Sequence, residues 1–142
     1  MTSTAISSQG TKIAKNTGTK AAPVWAAVKN VSNLNGFAGT ASDIDVTDFD
    51  SEAKEFRPGL QDWDTVSFDI NINMKEASHA ALLADKKTGI VAPYQVTLSD
   101  GTTLEFDAYV KTFPVTAGVD SVVKGTVVIK ITGDIEVTPA AA

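Results

Sequence analysis

Apolar and polar residues alternate with a period of two through most of the second half of the chain. The clearest case is residues 65–73, where four large apolar residues are separated by polar ones: Val66, Phe68, Ile70 and Ile72. This period predicts a β-strand with one face in the core and one in water. The same pattern predicts strands over 94–98, 103–113 and 122–133. In the last strand we expect four residues to face the core: Val123, Val127, Ile129 and Ile131.

The period changes to that of a helix over residues 74–87, which are rich in Ala and Leu. Asn73 is the predicted N-cap, with Glu76 three residues later completing a capping box. Two lysines lie in the predicted last turn, and Gly89 suits the left-handed residue that ends a helix. A helix this short must be stabilised by packing on a sheet.

The residues on either side of Ser99-Asp100-Gly101 predict a hairpin whose register follows from its apolar side chains. A two-residue loop would place Val96 opposite Glu105. A three-residue loop places Val96 opposite Leu104, so that one side of the hairpin is apolar. We therefore predict a type I turn with Gly101 in the left-handed bulge position.

The first third of the chain has weaker signals. Residues 1–22 hold few large apolar side chains, so we interpret them as a flexible N-terminal arm that docks on a partner. A first strand is expected over 24–31, followed by a loop over 33–40. The predicted organisation is the arm, one domain over 23–138, and a short tail over 139–142.

Residues 41–64 form a connection that is long for a compact domain. It is acidic, and it carries large apolar residues that are costly to leave in water: Phe49, Phe56, Leu60 and Trp63. Alternation at 43–46 is compatible with a short strand or ribbon. The apolar side chains either fold back on the core or pack on another subunit. Overall we expect six or seven strands and one helix, in a mainly β, antiparallel two-sheet sandwich or partly closed barrel.

Composition excludes several classes of protein. The chain has 142 residues, no cysteine and a net charge of −5, which argues against thiolate metal sites and against tight binding of nucleic acid. No apolar run reaches the length of about 18 residues that spans a bilayer, so we expect no membrane partner. His79 is the one histidine, and we expect it to be half exposed on the helix. We predict no enzyme, no cofactor and no metal site. The Asp-rich run at 43–50 lacks the central glycine and terminal glutamate of an EF-hand loop.

Charge is unevenly distributed along the chain. Residues 1–42 contain four lysines and no acid, whereas residues 43–64 contain eight acids against Lys54 and Arg57. A basic arm and an acidic loop could meet between neighbouring subunits, or both could simply be solvated.

The order of these features resembles a known family. An acidic Thr-Asp-Phe-Asp-Ser run at 47–51 leads through Phe56-Arg-Pro-Gly-Leu-Gln-Asp62 into the alternating strand at 65–73. This arrangement is similar to the major tail tube proteins of long-tailed, non-contractile bacteriophages, and the resemblance spans most of the chain.

The resemblance implies a structural virion protein of the phage tail. It implies a homo-oligomer of stacked hexameric rings that form a tube for DNA ejection, built in the host cytoplasm around a tape-measure protein and completed by tail terminator and tail tip proteins. DNA would pass through the tube transiently and without specific binding.

Site residues follow from the charge pattern and the resemblance together. The candidates for contacts between subunits or rings are Lys12, Lys15, Lys20, Asp45, Asp48, Phe49, Asp50, Phe56, Pro58, Gly59, Leu60 and Trp63. The candidates for the wall of the lumen are polar residues of two strands, namely Asp69, Asn71, Glu105 and Asp107. Acidic and neutral side chains there would not hold DNA phosphates. The lysines at 111, 124 and 130 complicate this assignment.

Two other functions stay open from the sequence. One is the tube protein of a contractile injection or secretion system, which would require an outer surface fitted to a sheath. The other is a monomeric ligand-binding β-sandwich, which would require exposed aromatic residues on a rigid face beside a concave pocket.

Overall fold

The computed structural model describes residues 3–19 and 21–140. Over these residues the chain forms nine strands and one helix. In chain order they are β1 (Lys12–Asn16), β2 (Trp25–Ala27), β3 (Val31–Gly36), β4 (Ala41–Asp45), β5 (Phe56–Gln61), β6 (Thr65–Asn71), α1 (Ala77–Thr88), β7 (Ala92–Thr97), β8 (Thr103–Thr112) and β9 (Lys124–Thr138). Seven strands form an antiparallel sheet in the order β2-β1-β7-β8-β9-β6-β3, and β4 pairs with β5 in a second sheet. The predicted mainly β class with one helix is confirmed.

The large sheet curls into a partly closed barrel. Its edge strands β2 and β3 are consecutive in the chain and are joined by residues 28–30 alone. A flat sheet would hold them about 29 Å apart, whereas this linker spans about 14 Å at most. The Val28 N–H donates to the Ile13 carbonyl at 2.8 Å, and the Asn30 carbonyl accepts from the Asn71 N–H at 3.1 Å. The linker is thus bonded to strands on both sides of the opening.

The core lies inside this curl, and α1 covers it. Strands β6 to β9 and β1 supply most of the buried side chains, among them Ile13, Val66, Phe68, Ile70, Tyr94, Val96, Phe106, Val127, Ile129 and Ile131. Leu82 of α1 is buried with them. The Phe106 ring stacks on Tyr94 at 6.2 Å between centroids and meets the edge of Phe37 at 5.4 Å. Phe37 follows β3, so this contact again joins distant parts of the sheet.

The register of the predicted hairpin is confirmed. Val96 pairs with Leu104, and Gly101 is left-handed with φ 98°. The Leu98 N–H donates to the Thr102 carbonyl at 2.8 Å, which closes the three-residue loop. The core assignment of the last strand holds except at Val123, which is exposed because β9 begins one residue later.

The helix begins later than the sequence predicts. Its N-cap is Glu76, with no side-chain capping bond, so the expected capping box does not form. Asn73 instead makes a turn before the helix, in which its side-chain oxygen accepts from the Lys75 N–H at 3.1 Å. The helix ends as expected: Gly89 is left-handed, and its N–H donates to the Asp85 carbonyl.

His79 is fully buried, so the expectation of a half-exposed histidine is wrong. Its Nδ1 accepts from the Asn73 N–H at 3.0 Å, and its Nε2 lies 2.6 Å from the Lys29 carbonyl oxygen. The ring therefore ties the start of α1 to the linker between the two edge strands.

Three expectations about the first third of the chain are also wrong. Residues 12–16 of the predicted flexible arm form β1, an interior strand with Ile13 and Ala14 buried. The single strand expected over 24–31 is interrupted at Asn30, whose φ of 61° turns the chain from β2 to β3. Strand β3 then occupies 31–36, most of which was expected to be loop.

Candidate assembly surfaces

The connection at 41–61 is a two-stranded antiparallel ribbon rather than an irregular loop. Asp43 pairs with Pro58 and Asp45 pairs with Phe56. Within the described part of the chain, β4 and β5 pair with each other and with no further strand. We call residues 41–61 the ribbon.

The ribbon exposes large apolar side chains. Two large apolar residues of β5, Phe56 and Leu60, are exposed. Leu60 is 93% exposed and the Phe49 ring is fully exposed. The sequence left open whether the apolar side chains of this segment fold back on the core or pack on another subunit. Phe49, Phe56 and Leu60 do not fold back on the core. Trp63 differs, because it packs against the core.

The base of the ribbon is fastened to the large sheet. The Trp63 Nε1–H donates to Asp134 at 2.8 Å. The Lys130 ammonium of β9 lies 3.0 Å from a carboxylate oxygen of Asp62 and 3.5 Å from one of Asp64. The Asp64 N–H and then Lys130 hold the pKa of Asp62 below its ordinary value. These bonds set the direction in which the ribbon leaves the sheet.

The tip of the ribbon is a network of short-range hydrogen bonds around Phe49. The Asp48 side chain accepts from the Asp50 N–H at 3.0 Å, and the Ser51 hydroxyl donates to Glu55 at 2.7 Å. At the start of the turn, the Thr47 N–H holds the pKa of Asp45 below its ordinary value. The acids at 45, 48 and 55 therefore bind backbone or hydroxyl donors, and Phe49 points away from them into solvent.

The four candidate lumen residues lie on one face of the large sheet. Asp69 pairs with Thr126, Asn71 with Lys124 and Asp107 with Thr132. The three partners have even residue numbers in β9, so their side chains lie on the same face of the sheet. Glu105 is two residues before Asp107 in β8 and therefore shares its face. We call this surface the polar sheet face. Its acids are partly engaged within the chain, since Asp69 accepts from the Thr126 hydroxyl at 2.5 Å and Glu105 accepts from the Gln95 amide at 3.0 Å.

Lysines share the polar sheet face. Lys124 and Lys130 lie there by register, opposite Asn71 and Thr65. Lys130 is compensated by Asp62 and Asp64 at the base of the ribbon. The charge of Lys130, one of the three lysines that complicated the assignment of the lumen, is thus compensated within the chain.

The three candidate lysines near the N-terminus differ from one another. Lys12 is exposed at the start of β1. Lys15 forms an ion pair with Asp85 of α1, so its charge is already compensated within its own chain. Lys20 lies outside the described residues.

Two surfaces were not found from the sequence. One is a recess of about 190 Å³ between α1 and strands β1 and β2, lined mainly by Thr17, Ala26, Val28, Ala77, Ala81 and Leu82. No periodicity marks it, because its walls come from three separate elements. The other is the loop after β8, which exposes Val115, Val119 and Val122.

The described residues show no group of acids and histidine placed to hold a metal ion. Among the same residues, no helix combines the length and apolar character needed to cross a membrane.

Comparison with known proteins identifies the family. A model of the lambda-like phage tail tube protein matches residues 4–104, which is more than half of the chain. The chain belongs to the lambda-like phage tail tube family. It is therefore a structural protein of the phage tail rather than an enzyme, and the ligand-binding sandwich is set aside. No curated protein matches the chain.

Solved structures share the fold of this tail tube protein. A chain from the tail of an empty gene transfer agent particle, refined with C6 symmetry, is similar with a TM-score of 0.78 and 12% identity, over 95% of this chain and 100% of that one. The SPP1 tail tube gives 0.72 and 13%, over 94% and 78%. The sheath/tube terminator of the extracellular contractile injection system PVC gives 0.73 and 8%, over 98% and 100%. At these identities the likeness is one of fold.

Proposed function

We propose that this tail tube protein assembles into stacked hexameric rings that form the tube through which phage DNA leaves. One observation carries the proposal: the ribbon holds large apolar side chains in solvent although its base is bonded to the large sheet. A two-stranded ribbon alone is marginally stable in water, and an exposed apolar patch of this kind marks an interaction site. The family match and the sixfold symmetry of the similar gene transfer agent tail support six subunits per ring.

The ribbon fits a contact between copies of the same chain. The ribbon is acidic whereas residues 1–42 contain lysines and no acid, which supports a contact that joins unlike patches. A head-to-tail contact of this sort propagates without limit unless another protein stops it. Unlimited growth requires a protein that ends it, such as a tail terminator, and the resemblance to tail tube proteins adds a tape-measure protein and tail tip proteins to the proposed partners. Assembly in the host cytoplasm and incorporation in the virion tail complete the proposal.

The polar sheet face is the proposed wall of the lumen. A conduit for DNA must let phosphates pass without holding them, and lysines that bind phosphate gain affinity through counterion release. Asp69, Glu105 and Asp107 provide negative charge there, while Lys130 is held by two carboxylates. The polar sheet face is therefore polar, and the Lys130 ammonium on it is not free to bind phosphate.

Electron microscopy of the purified chain at high concentration tests assembly. We expect rings or tubes from the natural sequence and their loss from the variant Leu60→Asp, because a charge would be buried at the contact. Val119→Asp is the matched control, since Val119 is also almost fully exposed but lies outside the ribbon. Tubes that form equally well from Leu60→Asp would overturn the role of the ribbon.

Phage carrying Asp69→Lys together with Asp107→Lys test the lumen. We expect intact tails but slower or blocked DNA ejection. Asp120→Lys, in the loop after β8, makes the same kind of charge change away from the polar sheet face and should have no effect on ejection. Unchanged infectivity of the double variant would contradict a repulsive lumen.

A further inference from the structure

The recess between α1 and strands β1 and β2 has the size and lining of a site for one aromatic ring. Its volume is about 190 Å³, and most of its walls are Ala, Val and Leu side chains. An apolar cavity of about 150 Å³ in another protein is large enough to bind benzene. A phenyl ring would therefore fit here and would remove apolar wall from water.

The chain itself carries a side chain suited to this recess. The Phe49 ring is fully exposed at the tip of the ribbon. The hydrogen bonds of Asp48 and Ser51 hold the backbone of the turn, so little backbone entropy is lost when the ring binds. Fully desolvated aromatic anchors of this kind supply much of the energy of protein interfaces.

The helix dipole of α1 adds an electrostatic contribution to the fit in shape. Residues 43–55 contain six acids and one lysine, so Phe49 stands among negative charges. The recess is lined in equal parts by residues of 15–28 and by residues of α1, and its one charged lining residue is Lys15, which is paired with Asp85. Its rim also includes the first turn of α1, which carries the positive end of the helix dipole and holds no acidic residue after the N-cap Glu76.

We propose that the recess of one copy receives Phe49 from the ribbon of another copy in the assembled tube. This inference rests on the proposed function, because it names the two surfaces that meet when subunits assemble. It also accounts for a rigid, acidic turn that places an aromatic ring in water.

Disulfide trapping tests the contact directly, since the chain has no cysteine of its own. The test variant carries Phe49→Cys and Ala81→Cys, with Ala81 in the wall of the recess. A disulfide requires the two Cα atoms to approach within about 7 Å. We expect oxidised tubes of this variant to give a ladder of covalent oligomers on a non-reducing gel.

The control variant pairs Phe49→Cys with Lys87→Cys, an exposed residue in the last turn of α1. No ladder from the test variant, or an equal ladder from the control, would overturn the inference and point to another occupant of the recess. Because the natural chain is examined alongside, the two proposals can be separated. Tubes from the natural chain together with no ladder from the test variant defeat this inference alone, whereas a natural chain that never assembles defeats both.

The single substitution Phe49→Ala gives an independent readout. It removes only an exposed ring, so the monomer should keep its melting temperature. We expect the concentration needed for tube formation to rise by about tenfold or more, as for loss of an interface anchor. Val119→Ala should not change it. An unchanged assembly concentration for Phe49→Ala would overturn the inference.

Discussion

Lys15 of β1 forms an ion pair with Asp85 of α1, and the two side chains are only 18% and 10% exposed. The sequence predicts that residues 12–16 belong to a flexible arm, but in the structure this ion pair connects them to α1. The pair explains how a strand with a lysine on its inner face can lie inside the sheet.

Removing one partner of this pair should destabilise the fold. We expect Lys15→Met to lower the free energy of unfolding by about 3 kcal/mol, because Asp85 is left largely buried without its counter-ion. The double variant Lys15→Met with Asp85→Leu should recover much of the loss, since an apolar pair of similar volume needs no compensation. Urea denaturation of the monomer measures both. Equal stability of the single variant and the natural chain would show that the pair contributes nothing.

Tyr94 is fully buried, and its hydroxyl has no hydrogen-bond partner among the residues at 3–19 and 21–140. A buried hydroxyl without a partner costs free energy. We therefore expect Tyr94→Phe to raise the free energy of unfolding by about 1 kcal/mol, measured as a higher melting temperature. Tyr109→Phe, on the polar sheet face, is the control and should be neutral. A lower melting temperature for Tyr94→Phe would contradict this account of the hydroxyl.

The same hydroxyl predicts sensitivity to alkaline pH. Burial, and secondly the charge of Asp85, raise the pKa of Tyr94 above its ordinary value. The unfolded chain loses this proton near pH 10 while the folded chain keeps it, so stability falls as the pH rises above about 10. Urea midpoints measured from about pH 9 to about pH 11 should fall less steeply for Tyr94→Phe than for Tyr109→Phe. Parallel pH profiles for the two variants would rule out Tyr94 as a source of the loss.

Gly39 should be essential to the base of the ribbon. A Cβ at this position would lie 1.7 Å from the Asp62 carbonyl oxygen, so two backbone segments would have to separate. We expect Gly39→Ala to disrupt the bond from the Asp62 N–H to the Thr40 carbonyl, to lower the melting temperature and to impair tube formation. Gly118→Ala, where the nearest atom is the Ser121 hydroxyl at 3.1 Å, should have little effect. A fully stable Gly39→Ala variant would mean that the base of the ribbon is easily rearranged.

The sequence predicted correctly where one local rule acts without competition. The register of the hairpin follows from Val96 and Leu104 alone, because a slip of one residue would turn an apolar side chain to water. The end of α1 follows from Gly89, which needs no long-range contact to adopt a left-handed conformation. The alternating residues of β6 identify its buried face for the same reason.

Prediction failed where long-range contacts decide. The capping box at Asn73 did not form because the buried His79 ring accepts its backbone N–H and draws the chain into a turn. The strand expected over 24–31 divides at Asn30, where the chain must cross between the two edges of the sheet. Neither event leaves a periodic signal in the sequence.

The sequence by itself determined the strands with a clear period of two, the glycine-dependent turns and an acidic segment with apolar residues that need a partner. These features depend on interactions between residues close together in the chain. Tertiary structure alone decided that residues 12–16 are interior, that the sheet curls until its edges nearly meet, and that a recess opens beside α1. Each depends on contacts between residues far apart in the chain, such as Lys15 with Asp85, and the cost of burying polar groups is met only when both partners are in place.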